Sequence, residues 1–175
     1  MQHNPTDLND SLRVEWPGAA SVASSIVDPG QESGPGTELC FSSMSTLETA
    51  PRPTAYEIVG GEAMVRRLAD RFYDIMDSAP EAAGIRALHG SDLAAVRERL
   101  FEFLTAWLGG PRLYFQRPGN NCIMSAHRPY AIGAAERDAW MMCMRRALED
   151  VGLPADYRAV LQEAFQRMAE AFRNR

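Results

Sequence analysis

Apolar residues recur at intervals of three and four from residue 55 onward, and this periodicity limits the fold more than any other feature. The first such set comprises Met64, Val65, Leu68, Phe72, Tyr73, Ile75 and Met76. This spacing places the side chains on one face of an α-helix. Three later segments repeat the pattern, and the sequence lacks strand-like alternation. We therefore predict an all-α domain with four main helices over residues 55–175.

Glycine, proline and polar residues mark the expected helix boundaries. The predicted main helices run from after Gly61 to near Pro80, from Ser91 to the Gly109–Pro111 stop, over roughly 134–151, and from Pro154 onward. Ser91 is the expected N-cap of the second helix. Residues 111–133 predict a loop with at most a short helical turn around His127.

Residues 1–54 have a different composition, rich in serine, proline, glycine, threonine and acids. They show neither a helical nor a strand period. Stretches such as residues 28–36 cannot bury enough apolar surface to offset the entropy lost on ordering. We predict a disordered N-terminal extension over 1–54, followed by one folded domain over 55–175.

Charge is distributed unevenly, and every basic side chain other than histidine is arginine. Two arginines against seven acids give residues 1–54 the whole net charge of −5, and sixteen of each leave residues 55–175 neutral. Nucleic acids and anionic membranes attract clustered positive charge. The sequence predicts neither as a partner.

The three cysteines are odd in number and widely spaced, which fits neither a disulfide framework nor a paired-cysteine metal site. No apolar run approaches the roughly 20 residues of a membrane-spanning helix. The first residues lack the basic and apolar segments of a signal peptide. The expected location is therefore the cytoplasm.

His127 is one of three histidines and lies between two predicted long helices, two residues before Pro129. One neutral imidazole suffices as the protein ligand of a haem iron. A bare metal ion needs about three or four ligands. A loop histidine is more often a surface or capping residue, and composition alone leaves both interpretations open.

A haem also needs an apolar slot with room for a small ligand. The second predicted helix supplies an apolar wall through Val96 and Leu100, with Phe103 further along that face. Tyr73 and Trp140 add a phenol and an indole as hydrogen-bond donors. Backbone carbonyls in an ordinary core are the alternative partners for both groups.

Other polar residues fit the same pocket or a plainer role. His89 is either a solvated loop residue or a third polar group at the pocket edge. Arg128 or Arg117 suits a carboxylate of a bound cofactor, because guanidinium groups bind carboxylates through two hydrogen bonds. No Ser-His-Asp set, carboxylate pair or phosphate-binding glycine loop indicates hydrolytic chemistry.

Residues 55–175 resemble group II truncated haemoglobins. The matching pieces are Tyr56–Gly61, Arg71–Tyr73, Phe103–Pro111, His127–Tyr130 and Glu136–Met144. They occur in family order with near-family spacing, which makes the set specific. The resemblance implies a shortened globin fold in which two antiparallel helix pairs sandwich haem b.

The resemblance also implies roles for individual residues. The family's proximal histidine falls on His127, its ligand-bonding tyrosine on Tyr73, its distal tryptophan on Trp140, its polar loop residue on His89, and its distal-wall positions on Val96 and Leu100. Residues 119–126 depart from the pattern, because they lack the basic residues that often meet the haem carboxylates. Arg128 is a substitute for these, and Tyr114 is a further polar neighbour.

Together these features imply a haem protein that binds dioxygen or another diatomic ligand at iron held by His127. Several donors to the bound ligand imply slow release, which favours redox chemistry, sensing or storage over simple carriage. One alternative is a haem enzyme, either a peroxidase or a nitric-oxide dioxygenase served by a separate reductase. Another is a haem-free helical module that uses the slot for a partner or lipid.

Overall fold

The structure is a computed structural model that describes residues 53–117 and 122–175. Its helices are α1 (Ala55–Val59), α2 (Gly61–Ser78), a 3-10 helix (Pro80–Ala82), α3 (Ala83–Ala87), α4 (Ala94–Trp107), α5 (Leu113–Gln116), α6 (Ile123–His127), α7 (Ala134–Asp150) and α8 (Ala155–Ala171). No strand occurs in these two ranges, and α2, α4, α7 and α8 are the four long helices. The predicted all-α class is confirmed. The predicted disorder of the N-terminal extension concerns residues outside the described ranges, apart from 53 and 54.

Helix α2 is central, since it packs against both α4 and α7. Its inward face carries Val65, Leu68, Phe72 and Met76, each at most 2% exposed. Full burial of such a side chain contributes about 1.5–3 kcal/mol to folding. The apolar face predicted from the sequence is therefore the face that holds the core together.

An aromatic cluster joins the four long helices, each of which contributes one ring. Phe72 of α2 lies 5.3 Å from Trp140 of α7, measured between ring centroids. Trp140 lies 5.9 Å from Phe165 of α8, which stacks on Trp107 of α4 at 5.0 Å. Aromatic pairs at these separations add about 0.5–1.5 kcal/mol beyond the area that they bury.

Arginine side chains fix α4 against α2 at the edge of this core. Arg97 donates to the backbone oxygen of Asp70 and to Oδ1 of Asp74, each at 2.7 Å. Arg66 pairs with Glu98 and lies over the Phe101 ring, 3.5 Å from its centroid. Because these pairs are partly exposed, each contributes at most about 1 kcal/mol. Their main effect is to set how the two helices align.

The structure corrects two local predictions. Ser91 does not cap the second main helix; the Ala94 N–H donates instead to Oδ1 of Asp92 at 2.8 Å. An aspartate two residues upstream satisfies a first-turn donor equally well, and composition does not separate it from a nearby serine. Residues 111–133 contain α5 as well as α6, because Tyr114 packs edge-on against Phe103 of α4 at 5.7 Å.

Gly110 is required by close packing after α4. A Cβ atom at this position would lie 2.7 Å from Cγ of Tyr56 and 2.9 Å from the backbone oxygen of Thr105. The Tyr56 N–H donates to the Leu108 oxygen at 2.8 Å, which holds α1 against the same turn. The glycine therefore lets α1 approach the end of α4.

None of the helices in ranges 53–117 and 122–175 has both the length and the apolar character needed to cross a membrane.

We expect Gly110→Ala to destabilise the fold by about 1–3 kcal/mol, as overpacking does when backbone must move. Gly84→Ala is the matched control, because Gly84 is helical and a Cβ there meets nothing within 4 Å. That control should gain about 0.5–1 kcal/mol, since alanine is the better helix former. Urea unfolding of both variants measures the difference. Equal stability of the two variants would show that the Tyr56 contact does not constrain the turn.

Candidate functional site

His127 is the last residue of α6 and has one ring nitrogen fixed. Its Nδ1 lies 2.8 Å from the backbone oxygen of Ile123, one helical turn earlier. Because a carbonyl only accepts, the neutral ring carries its proton on Nδ1 and keeps its lone pair on Nε2. The half-buried imidazole stacks on Phe172, with centroids 4.5 Å apart and planes inclined by 24°. An imidazole held in this way leaves Nε2 available to bind a metal.

Tyr73 lies on the inner face of α2 and is 6% exposed. Its ring meets His89 edge-on at 5.7 Å, and the guanidinium of Arg97 lies 5.8 Å from the ring centroid. Within the described ranges, no hydrogen bond joins its hydroxyl to another residue. Burial raises the pKa of Tyr73, and the opposing effect of Arg97 is smaller. The phenol is therefore a protonated donor at neutral pH.

His89 lies beside Tyr73, between α3 and α4. Its Nδ1 is 2.9 Å from the Ile85 backbone oxygen, so this ring also carries its proton on Nδ1 when neutral. The half-buried side chain lines a cleft of about 470 Å³ whose wall includes Asp77 and Ser91. Neutral His89 can accept a hydrogen bond at Nε2. It can donate there only when it carries both protons.

Trp140 is half-buried on α7 and is connected to Tyr73 through one shared neighbour. Phe72 contacts Tyr73 at 5.0 Å and Trp140 at 5.3 Å. Among the residues that the structure describes, none accepts a hydrogen bond from the Trp140 indole. These ring contacts bring Tyr73, His89 and Trp140 to one region. Within the described residues, His127 makes no hydrogen bond or ring contact with any of these three side chains.

An apolar stripe on α4 is left partly uncovered. Val96, Leu100, Phe103 and Trp107 follow helical spacing, and the first two are only half-buried although they pack against the core. The adjacent side chain Leu104 is fully buried. A flat apolar group would cover such a stripe. The apolar wall and the free Nε2 of His127 are each of the chemical kind that a haem requires.

The basic and polar residues near this region differ in their partners. Arg117 pairs with the buried carboxylate of Glu102, at 2.7 Å from its Nη2. Arg128 is exposed, and the described residues provide it with no ion pair or hydrogen bond. Tyr114 is buried edge-on against Phe103, and burial raises its pKa. Arg128 is thus more available to a cofactor carboxylate than Arg117.

Sequence reasoning missed three residues that shape these contacts. Ile123 could have been found, because it precedes His127 by the four residues that place a backbone oxygen within reach of a helical side chain. Glu102 gave a weaker signal as an acid inside the apolar stretch 101–104. The contact of Phe172 with His127 had no local signal.

Comparison with known proteins identifies the fold. The model of the bacterial-like globin family matches residues 54–174. The chain belongs to this globin family. Family membership implies haem-based binding of diatomic ligands, and the predicted resemblance to truncated haemoglobins is confirmed.

Individual relatives of this globin are group II truncated haemoglobins. It is 35% identical over 106 residues to group 2 truncated hemoglobin YjbI of Bacillus subtilis, covering 61% of this chain and 77% of the relative. The structure of a group II 2-on-2 haemoglobin from Agrobacterium tumefaciens matches with a TM-score of 0.68 and 38% identity, covering 72% of this chain and 98% of the other. A truncated oxygen-avid haemoglobin from Bacillus subtilis matches with a TM-score of 0.64 and 32% identity, covering 70% and 100%. The predicted two-over-two helical fold is confirmed.

Burial of the Tyr73 phenol predicts a specific alkaline sensitivity. Folding raises its pKa above the ordinary value of about 10, so the stabilising effect is complete below that pH and is lost as pH rises further. We expect the free energy of unfolding of wild type to fall more steeply than that of Tyr73→Phe above about pH 10, by up to about 1.4 kcal/mol per pH unit. Urea unfolding of both proteins across this range measures the effect. Parallel curves would contradict it.

Proposed function

We propose that this globin holds a haem iron through Nε2 of His127 and reversibly binds dioxygen or another diatomic ligand beside Tyr73 and Trp140. The observation that carries the proposal is the way in which the His127 imidazole is held. Its Nδ1 is committed to the Ile123 oxygen at 2.8 Å, and its ring face is packed against Phe172. Nε2 is left as the one nitrogen able to ligate.

Haem b, when bound, supplies a ferrous iron with one open coordination position for a small ligand. His127 would hold this iron through Nε2. Donation from its Nδ1–H to the Ile123 oxygen fixes the tautomer and makes Nε2 a stronger electron donor. The backbone of α6 thus acts directly on the proposed ligand.

The surrounding residues bind and orient the haem. Val96, Leu100 and Phe103 form an apolar wall on α4, next to buried Tyr114. Burial of apolar area at about 25 cal/mol per Å² makes such a wall the main source of affinity for a flat hydrophobic group. Arg128 would take a haem carboxylate, since the guanidinium is exposed and both groups suit a paired contact.

Two donors stabilise the bound diatomic ligand. The Tyr73 hydroxyl is kept protonated by burial, and the Trp140 indole has one N–H. Each charge-assisted hydrogen bond contributes about 1–3 kcal/mol, and each 1.4 kcal/mol is about a tenfold change in an equilibrium constant. We therefore expect slow release of the bound ligand. The Bacillus subtilis structure described as oxygen-avid is in keeping with this behaviour.

His89 has a conditional part in this scheme. When His89 is neutral, its Nε2 can only accept a hydrogen bond; the Tyr73 ring lies beside it, with centroids 5.7 Å apart. When doubly protonated, the same nitrogen donates. His89 therefore adds a third donor to the bound ligand only in its cationic form.

We expect His127→Ala to lose the axial imidazole and most of its haem affinity. The absorption and magnetic circular dichroism spectra of the ferrous, ligand-free protein report this ligation directly. His89→Ala is the matched control, because it removes a second half-buried histidine with the same Nδ1 contact to a backbone oxygen. An unchanged axial signature in His127→Ala would refute the assignment.

We expect Tyr73→Phe and Trp140→Phe each to speed dioxygen release about tenfold, because each removes one donor to the bound ligand. Stopped-flow measurement of release from the ferrous protein gives the rates. Tyr130→Phe is the control, since Tyr130 is 44% exposed. If neither core substitution exceeds this control, the donor roles are wrong.

A further inference from the structure

Two independent contacts restrain the imidazole of His127. The Nδ1 atom is hydrogen-bonded to the Ile123 oxygen at 2.8 Å, and the Phe172 phenyl stacks on one ring face with centroids 4.5 Å apart. A single hydrogen bond leaves a ring free to pivot about the line that joins donor and acceptor. A flat neighbour on its face removes that freedom.

The chain after α8 also holds the loop that follows His127. The Asn174 N–H donates to the Ile132 oxygen at 2.9 Å, and the Ile132 N–H donates to Oδ1 of Asn174 at 3.0 Å. The Asn174 Nδ2 donates to the Tyr130 oxygen at 2.8 Å. One side-chain amide thereby uses both its donor and its acceptor on this loop. The Tyr130 N–H in turn donates to the His127 oxygen at 3.1 Å, which links the loop to α6.

We propose that Phe172 and Asn174 are positioning residues that fix the orientation of the His127 imidazole toward the haem iron. Phe172 sets the rotation of the ring, and Asn174 sets the backbone that leads away from it. This inference rests on the proposed role of His127 as the iron ligand. Groups that orient a metal ligand commonly change metal affinity about 10- to 100-fold when they are removed.

Ordinary core packing is the competing explanation for Phe172, which is half-buried and contacts the main core. Packing alone would change stability and leave the geometry of the iron–imidazole bond as it was. Orientation of the imidazole would change that bond even in a protein that stays folded. The two explanations therefore differ in a vibrational signal.

The test uses the haem-loaded full chain with Phe172→Leu and Asn174→Ala. Phe115→Leu and Arg175→Ala are matched controls, since Phe115 is a 56% exposed phenylalanine and the side chain of Arg175 is exposed. Resonance Raman spectra of the ferrous, ligand-free protein give the iron–histidine stretching band. Transfer of haem to an excess of apomyoglobin gives the rate of haem loss.

We expect Phe172→Leu to shift or broaden the stretching band and to speed haem loss about tenfold. Asn174→Ala should move both quantities in the same direction by a smaller factor, because it acts through the loop. A band that keeps the wild-type position and width in both variants would overturn the inference. Absence of an iron–histidine band from wild type itself would instead overturn the proposed ligation, so the two failures are distinguishable.

The haem-free protein gives a second measurement. Stacking on Phe172 places the His127 ring protons in the shielding region above a phenyl group, so their NMR signals should lie upfield in wild type. Phe172→Leu should remove that shift and Phe115→Leu should not. Unshifted His127 signals in wild type would overturn the stacked arrangement on which the inference depends.

Discussion

The packing of four aromatic rings against one another is the interaction on which the rest of the structure depends. Phe72, Trp107, Trp140 and Phe165 come from the four long helices and form one continuous line of ring contacts at 5.0–5.9 Å. Interiors of proteins pack as densely as organic crystals, so one ring in this line cannot move without displacing its neighbours. The relative positions of α2, α4, α7 and α8 follow from these contacts. The positions of these helices in turn fix the side chains that line the candidate haem site.

The same cluster explains why an apolar wall remains partly uncovered. Fully buried side chains such as Leu104 fill the space between the helices, and the next stripe around α4 is left with Val96 and Leu100 half-exposed. A protein of this size normally buries its contiguous apolar surface. A bound haem would supply the missing cover, with His127 proposed to hold the iron and the buried phenol of Tyr73 proposed to donate to the bound ligand. The helix packing that forms the core thus also leaves the apolar surface that the proposed haem site would use.

The elements predicted well were those specified by local pattern. Apolar periodicity predicted the four long helices, and family motifs indicated His127, Tyr73 and Trp140 as candidate site residues. Ring contacts then placed Tyr73, His89 and Trp140 in one region. What the sequence could not supply were contacts between distant segments, such as the bond between Asn174 and Tyr130, which lie 44 positions apart. Such contacts depend on how the helices assemble, and neither apolar periodicity nor a local motif predicts that arrangement.

Helix α8 has a consequence that extends across the candidate site. Phe165 contacts Trp140, and Phe172, seven positions further along, contacts His127. Seven residues are about two helical turns, and Phe172 directly follows α8 with helical backbone angles, so both rings lie on nearly the same face. A small rotation of α8 would displace the Trp140 indole and the His127 imidazole together. Trp140 and His127 are therefore mechanically coupled through α8, and free-energy changes caused by substitutions near either residue will not simply add.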